Sequence, residues 1–175
     1  MGRTHGLNII AEAAAILEQK GIYGVRWMMC GWGSGKKNLE QICKEKNLQS
    51  VVILDPVPRE DLAALISAAD ISIISFIPEM SGISVPSRMY NILAAGCPII
   101  GITEPDSELA QTILDDDLGW VSPPDKPELL ADLVIQIYEQ RGELARYQQR
   151  CQVAATTRFT KENSIRAYHD LLSKV

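Results

Sequence analysis

Short apolar runs of strand length alternate with segments of helical period through nearly the whole chain, and few folds accept that pattern. Val25 to Cys30, Val51 to Leu54, Ile71 to Phe76, Pro98 to Ile102 and Gly119 to Val121 have the length and apolar character of strands. Around them lie helix-like segments. The first runs through Leu7, Ile10, Ala14 and Leu17, with Gly21 as a stop signal. Others are Lys36 to Asn47, Arg59 to Ala69, Pro86 to Ala95, Ser107 to Leu114, Asp125 to Tyr138, Leu144 to Thr156 and Lys161 to Ser173. Leu62, Leu65 and Ile66 mark the apolar face of the third helix, and Leu129, Leu130, Leu133, Val134 and Ile137 that of the sixth. Buried-type strands separated by helices imply parallel pairing with both faces covered. Right-handed crossovers then give an α/β fold, a Rossmann-like doubly wound parallel sheet with helices on both faces.

One strand is lacking in this pattern. The first helix is preceded only by Met1-Gly2-Arg3-Thr4, whereas a doubly wound domain normally places a strand there. The chain therefore reads as one domain over residues 1–175, starting after or inside its own first strand, and as a piece of a larger protein.

Composition narrows the function classes. Apolar residues make up 46% and charged residues 22%, so a domain of 175 residues can bury an ordinary core without metal or disulfide. The net charge of −5 argues against nonspecific nucleic-acid binding, which calls for a basic surface. It leaves room for a local phosphate site, which needs only a cation or two and some backbone N–H groups. Cys30, Cys43, Cys97 and Cys151 show no metal-ligand spacing and read as reduced thiols of a cytoplasmic protein. No signal peptide is visible, and no apolar run approaches the ~18 residues of a membrane span.

Ligands of such sheets bind where strand ends meet helix starts, and four loops meet that condition. Gly2-Arg3-Thr4-His5-Gly6 opens the first helix and offers unpaired N–H groups beside an arginine; an exposed arginine on a plain start is the bland alternative. Gly31-Trp32-Gly33-Ser34-Gly35 allows close backbone approach, as does any tight strand-to-helix turn. The loop from Ser81 and Gly82 through Ile83, Ser84 and Val85 leads through Pro86 and Ser87 to Arg88. Small residues, a helix start and a cation there suit a diphosphate, although Arg88 also fits a surface ion pair. In Thr103 to Ser107, Asp106 or Ser107 reads as a helix cap. Asp115-Asp116-Asp117 reads as a solvated helix end, and Trp27, Trp32 and Trp120 as packing groups.

These segments together resemble the C-terminal domain of retaining GT-B-fold glycosyltransferases of family 4, the bacterial surface-polysaccharide type. Gly2-Arg3-Thr4-His5-Gly6-Leu7 is similar to the family's opening glycine–arginine stretch. Cys30-Gly31-Trp32-Gly33 resembles its G-x-G loop, and Pro56 to Leu62 the segment before a helix ending at Ala69-Asp70. Val85-Pro86-Ser87-Arg88-Met89-Tyr90-Asn91 with Ala95-Gly96-Cys97-Pro98 is the most specific match.

The resemblance implies a donor site for a nucleotide diphospho-sugar, expected to be a UDP-sugar, with no metal and no further cofactor. Arg3 and Arg88 would stabilise the leaving diphosphate. Gly2, His5, Gly31, Gly33, Ser81, Gly82, Ile83, Ser84, Val85, Ser87 and Asn91 would line the donor. His5 stands where many members have lysine, and Arg88 where the subgroup has lysine. Asn91 occupies the slot of the ribose-binding glutamate, and Ile83 falls near that of a second glutamate. The acceptor-binding N-terminal domain would be the main partner. Lys161 to Ser173 would be the helix that crosses back toward it. A cytoplasmic location is implied, with the full-length enzyme compatible with the inner membrane face. Two alternatives stay open at this point: a non-catalytic nucleotide-sugar or phosphate-binding module, and a GT-B-type nucleotide-sugar 2-epimerase.

Overall fold

The computed structural model describes residues 1–83 and 86–173, the Arg3 side chain excepted. Among these residues are five strands of four residues each: β1 (Trp27–Cys30), β2 (Val51–Leu54), β3 (Ser72–Ser75), β4 (Ile99–Ile102) and β5 (Gly119–Ser122). All pairings are parallel, in the orders β1-β2 and β3-β4-β5. The alternation of strands and helices thus yields parallel strands, as expected, but the ladder is interrupted between β1 and β3.

Among the described residues eight α-helices surround the strands: α1 (Leu7–Gln19), α2 (Lys36–Glu45), α3 (Leu62–Ser67), α4 (Arg88–Ala94), α5 (Glu108–Asp115), α6 (Pro127–Glu139), α7 (Leu144–Thr157) and α8 (Lys161–Leu172). They lie on both faces. One core joins α1, α2 and α6 to Trp27, Met29, Ile100 and Ile102. The other joins α4, α5 and α7 to Ile74, Phe76 and Ile99. Strand residues alternate between faces, and β4 shows it directly. Ile100 and Ile102 point into the first core, while a Cβ on Gly101 would sit 2.7 Å from Ile113 Cδ1 on the opposite face. All four β4 residues are buried, as befits a strand with neighbours on both edges.

Several expectations need correction. The helix expected over Arg59–Ala69 is a 3₁₀ turn, Arg59–Asp61, followed by a six-residue α3 with no buried residue. Its apolar residues Leu62, Leu65 and Ile66 line a groove, and Ile66 also packs, partly buried, against the second core. The first expected strand begins at Trp27, two residues later than its apolar run. Leu129, expected inward, is half-exposed, while Leu130, Val134 and Ile137 are buried. α8 has an N-cap in Thr160 but no buried residue, and it exposes Ile165, Tyr168, Leu171 and Leu172.

Candidate functional site

The carboxyl ends of the strands carry the candidate residues, and the chain's own first residues close over them. Gly2 and His5 bound a tight 3₁₀ turn, Arg3–His5. The Thr4 carbonyl accepts a hydrogen bond from the Ile77 amide at 2.9 Å, which fastens this turn to the segment leaving β3. Gly6 then adopts a positive φ of 51°, and a Cβ there would lie 3.2 Å from the Phe76 carbonyl oxygen. A left-handed residue in van der Waals contact with the backbone leaves glycine as the natural choice.

His5, Ser75, Arg88 and Asn91 all line one end of a groove of about 920 Å³. Arg88 opens α4 and Asn91 follows three residues later, so both project from the same side of that helix. Arg88 is half-buried; among the described residues it forms no ion pair, and its Nε is buried without a hydrogen-bond partner. Burial pulls its pKa down from the usual arginine value. Burial, the Arg88 charge and the N-terminal ammonium together lower the pKa of His5. A cation and an imidazole therefore meet in a recess where no described carboxylate pairs with either. That is the electrostatics of an anion site.

The other candidates fall in three places. Ser87 precedes α4, is exposed, and makes no capping bond. Ser81 is half-buried, Gly82 has φ +72° with open space around it, and Ile83 is 70% exposed. Ser84 and Val85 lie outside the described residues, as does the side chain of Arg3. Gly31 has φ +136° and open space where a Cβ would be. At Gly33, also at positive φ, the close approach is made by the chain itself, since a Cβ would collide with the Met1 carbonyl oxygen. The Met1 ammonium donates to the Trp32 carbonyl at 2.9 Å, and the Gly35 amide donates to that of Met1 at 3.1 Å.

Some residues near the site give no signal in the sequence. The Glu104 carboxylate accepts a hydrogen bond from the Glu79 amide, tying the loop after β3 to the loop after β4. Lys36 pairs with Asp55 at 2.5 Å across the ends of β1 and β2, which holds the Asp55 carboxyl below its usual range. Trp32, expected to pack, is 78% exposed; Trp27 is buried and Trp120 lies against Tyr147, with 4.4 Å between ring centroids. Ser107 caps α5 as expected, accepting from the Ala110 amide at 3.1 Å. The two acids that follow α5 are ion-paired, Asp116 with Arg158 and Asp117 with Arg146 and Arg150. Among the described residues no cluster of three His, Cys, Asp or Glu side chains is placed to hold a metal, and no helix is long and apolar enough to cross a membrane.

Comparison with known proteins agrees with this architecture. The probable glycosyltransferase WbjE of Pseudomonas aeruginosa is 25% identical over 140 residues, 79% of this chain and 34% of WbjE. Anabaena Alr3699/HepE, solved in complex with UDP-glucose, superposes with a TM-score of 0.77 at 19% identity, over 100% of this chain and 47% of that one. Sucrose-phosphate synthase from Thermosynechococcus elongatus gives the same TM-score, 0.77, at 19% identity, over 99% of this chain and 44% of its own. The chain thus spans less than half the length of these relatives. The family model for glycosyl transferases group 1 matches residues 1–156. With that match over most of its length, on a parallel α/β framework shared with GT-B glycosyltransferases, this chain belongs to the group 1 glycosyl transferases.

Proposed function

We propose that this chain is the donor-binding domain, in C-terminal position, of a retaining family 4 glycosyltransferase that uses a UDP-sugar in polysaccharide or glycolipid biosynthesis. One observation carries the reading. His5 and Arg88 come from segments far apart in the chain, yet they converge with Asn91 at the carboxyl end of β3, and no described carboxylate pairs with them. A diphosphate would supply the missing charge. Alr3699/HepE, which shares the fold, was solved with UDP and with UDP-glucose.

In transfer, negative charge develops on the diphosphate as the glycosidic bond to the donor sugar breaks. Fixed cations at that point lower the barrier because their attraction strengthens as the charge grows. Arg88, already half-buried, gives up only part of its hydration on meeting the phosphate. His5 accepts the Gly2 amide through Nδ1 at 2.8 Å, which leaves Nε2 to donate. Arg3 sits in the same turn as His5 and is assigned a second phosphate contact by its place in the sequence. Asn91, in the ribose position, offers a neutral amide where a carboxylate would add charge assistance. The site as read calls for no metal. Acceptor binding belongs to a separate N-terminal domain, so this chain by itself is expected to be inactive in transfer.

Calorimetric titration of UDP, GDP and inorganic phosphate tests the reading, with Arg88→Ala as control. Saturable UDP binding, weakened in the variant, supports it. Binding of UDP equal in wild type and variant removes Arg88 from the site. Absence of binding to any nucleotide by a folded chain that has been joined to its acceptor domain would favour the non-catalytic module. Exposed Ile83 and neutral Asn91 are the residues that speak for that module.

A further inference from the structure

The loops that leave β3 and β4 lie side by side, because these two strands pair in parallel from Ser72 and Ile99 to Ser75 and Ile102. They differ in how firmly they are held. After β4, Thr103 is buried; its amide donates to the Ser122 carbonyl at 3.0 Å and its hydroxyl to Ser107 Oγ at 3.0 Å. The Ser107 amide donates to the Glu104 carbonyl at 3.2 Å, and Ser107 caps α5. Glu104 therefore stands on a rigid mount, between a central strand and the start of a helix.

The loop after β3 has less support. The Ile77 amide donates to the Thr4 carbonyl, and the Ile83 amide closes a turn by donating to the Met80 carbonyl at 3.2 Å. Between these bonds Glu79 adopts φ +67° and Gly82 φ +72°. Glycine takes such a backbone freely, whereas the Cβ of glutamate disfavours it. A residue of that kind keeps its conformation only where its surroundings impose it. Among the described residues the Glu79 amide has one acceptor, Oε1 of Glu104. Oε2 of the same carboxylate is buried and has no partner among those residues.

We infer that Glu104 is a positioning residue of the donor site, on the reading of that site given above: its carboxylate holds Glu79 in the left-handed conformation and so sets where Ser81, Gly82 and Ile83 lie ahead of Arg88. Glu104 acts through the loop and touches no ligand. Backbone N–H groups serve a diphosphate well only when the loop that carries them is already in place. What the loop needs from position 104 is an acceptor at a fixed point. A side-chain amide supplies one too, and its NH2 would replace an oxygen that bonds none of the described residues.

Three variants test this: Glu104→Ala, Glu104→Gln, and Glu104→Ala combined with Glu79→Asn, since asparagine accepts a left-handed backbone more readily than glutamate. Amide exchange at Glu79 and Ile83 is compared with that at Phe76, whose amide is bonded to Ile102 beside the sheet. UDP affinity is measured by calorimetry. In Glu104→Ala the Glu79 and Ile83 amides should exchange about tenfold faster, with Phe76 unchanged. UDP should bind that variant about tenfold more weakly. Glu104→Gln should stay near wild type in both readouts, and Glu79→Asn should recover part of the lost affinity. If Glu104→Ala does not fold, Glu104→Asp, one methylene short of the Glu79 amide, takes its place. Unchanged exchange at Glu79 and Ile83 overturns the inference, as does a Glu104→Gln chain as impaired as Glu104→Ala. Faster exchange with UDP affinity intact also overturns it, by reducing the contact to a structural one. A wild type that binds no UDP defeats the donor reading instead, and exchange alone then decides whether Glu104 holds the loop.

Discussion

The Gly2 amide donates to His5 Nδ1 at 2.8 Å, so the neutral imidazole carries its proton on Nε2. Protonation puts a hydrogen on Nδ1 and breaks that bond. Burial and the Arg88 charge also oppose it, and they hold the His5 pKa below its usual 6.5. The folded chain therefore binds fewer protons at this site than the unfolded chain as pH falls below 6.5. Stability from this group is fully present above 6.5 and declines as pH drops toward the folded pKa. Denaturant unfolding of wild type and His5→Gln at pH 7.5 and pH 5.5 checks the sign: the wild type should lose more stability on acidification. Equal losses would remove His5 from the balance.

A bound diphosphate reverses the sign at the same residue. It favours the charged imidazole, so UDP affinity should rise as pH falls from 7.5 toward 6, and His5→Gln should flatten that slope. Calorimetry at three pH values measures it.

Arg88→Ala should weaken UDP binding by about 10- to 100-fold, the range expected for a charged hydrogen bond of ~1.5–3 kcal/mol. Arg88→Lys should recover only part of the loss, because an ammonium cannot make the paired contacts of a guanidinium. Full recovery by lysine would reduce the role of Arg88 to charge alone. Circular dichroism and Tm show whether either variant is folded.

The parallel α/β class is legible in the sequence because apolar runs and helical period are local properties. Val51 to Leu54 is a strand as read, and α5 begins at its Ser107 cap. What the residues do not disclose depends on neighbours distant in sequence. The apolar face of α3 is visible in Leu62, Leu65 and Ile66, but its position over an open groove depends on the gap between β1 and β3. That the edges of β1 and β3 are unpaired toward each other emerges only from the three-dimensional arrangement. Arg88 stands out by its place in a loop. Its proximity to His5 depends on the way Thr4 and Ile77 bind the opening turn to β3. Glu104 reads as part of a capping loop, and its bond to the Glu79 amide has no counterpart in any local pattern.

Cysteine reactivity should divide by burial. Cys97 and Cys151 are buried, and burial pushes the Cys151 thiol up to about 12. A thiol of that pKa carries almost no thiolate at pH 8. Iodoacetamide at pH 8 should therefore modify Cys30 or Cys43, both half-buried, before either of the others. Cys97 and Cys151 should react only after denaturation. Peptide mass mapping reads the order, and early labelling of Cys151 would contradict its burial.

Gly31 and Gly33 both hold positive φ, but only at Gly33 does the chain's own backbone occupy the space a side chain needs. Alanine at either position costs about 1–3 kcal/mol of backbone strain. Gly33→Ala must in addition displace Met1, and with it the hydrogen bonds from Met1 to Trp32 and from Gly35 to Met1. Gly33→Ala should lower Tm more than Gly31→Ala. It should also speed amide exchange over residues 1–6, where Gly31→Ala should not. Equal Tm losses would mean that the first residues contribute nothing to holding this loop.

Asn91→Glu places a carboxylate three residues after Arg88 on the same side of α4, and two competing effects follow. A carboxylate facing the ribose accepts charge-assisted hydrogen bonds from its hydroxyls, which should tighten UDP binding by about tenfold. The same carboxylate is also within helical reach of the Arg88 guanidinium, and an ion pair there would draw the cation from the phosphate. Parallel titrations of UDP and inorganic phosphate separate the two. Ribose contact tightens UDP and leaves phosphate unchanged; capture of Arg88 weakens both. The expected outcome is the first, because the recess around Arg88 is already short of negative charge, and a diphosphate brings two charged groups against the single carboxylate that competes with it. Weakening of both ligands would show that asparagine keeps Arg88 free for phosphate and that its neutrality is what the site requires.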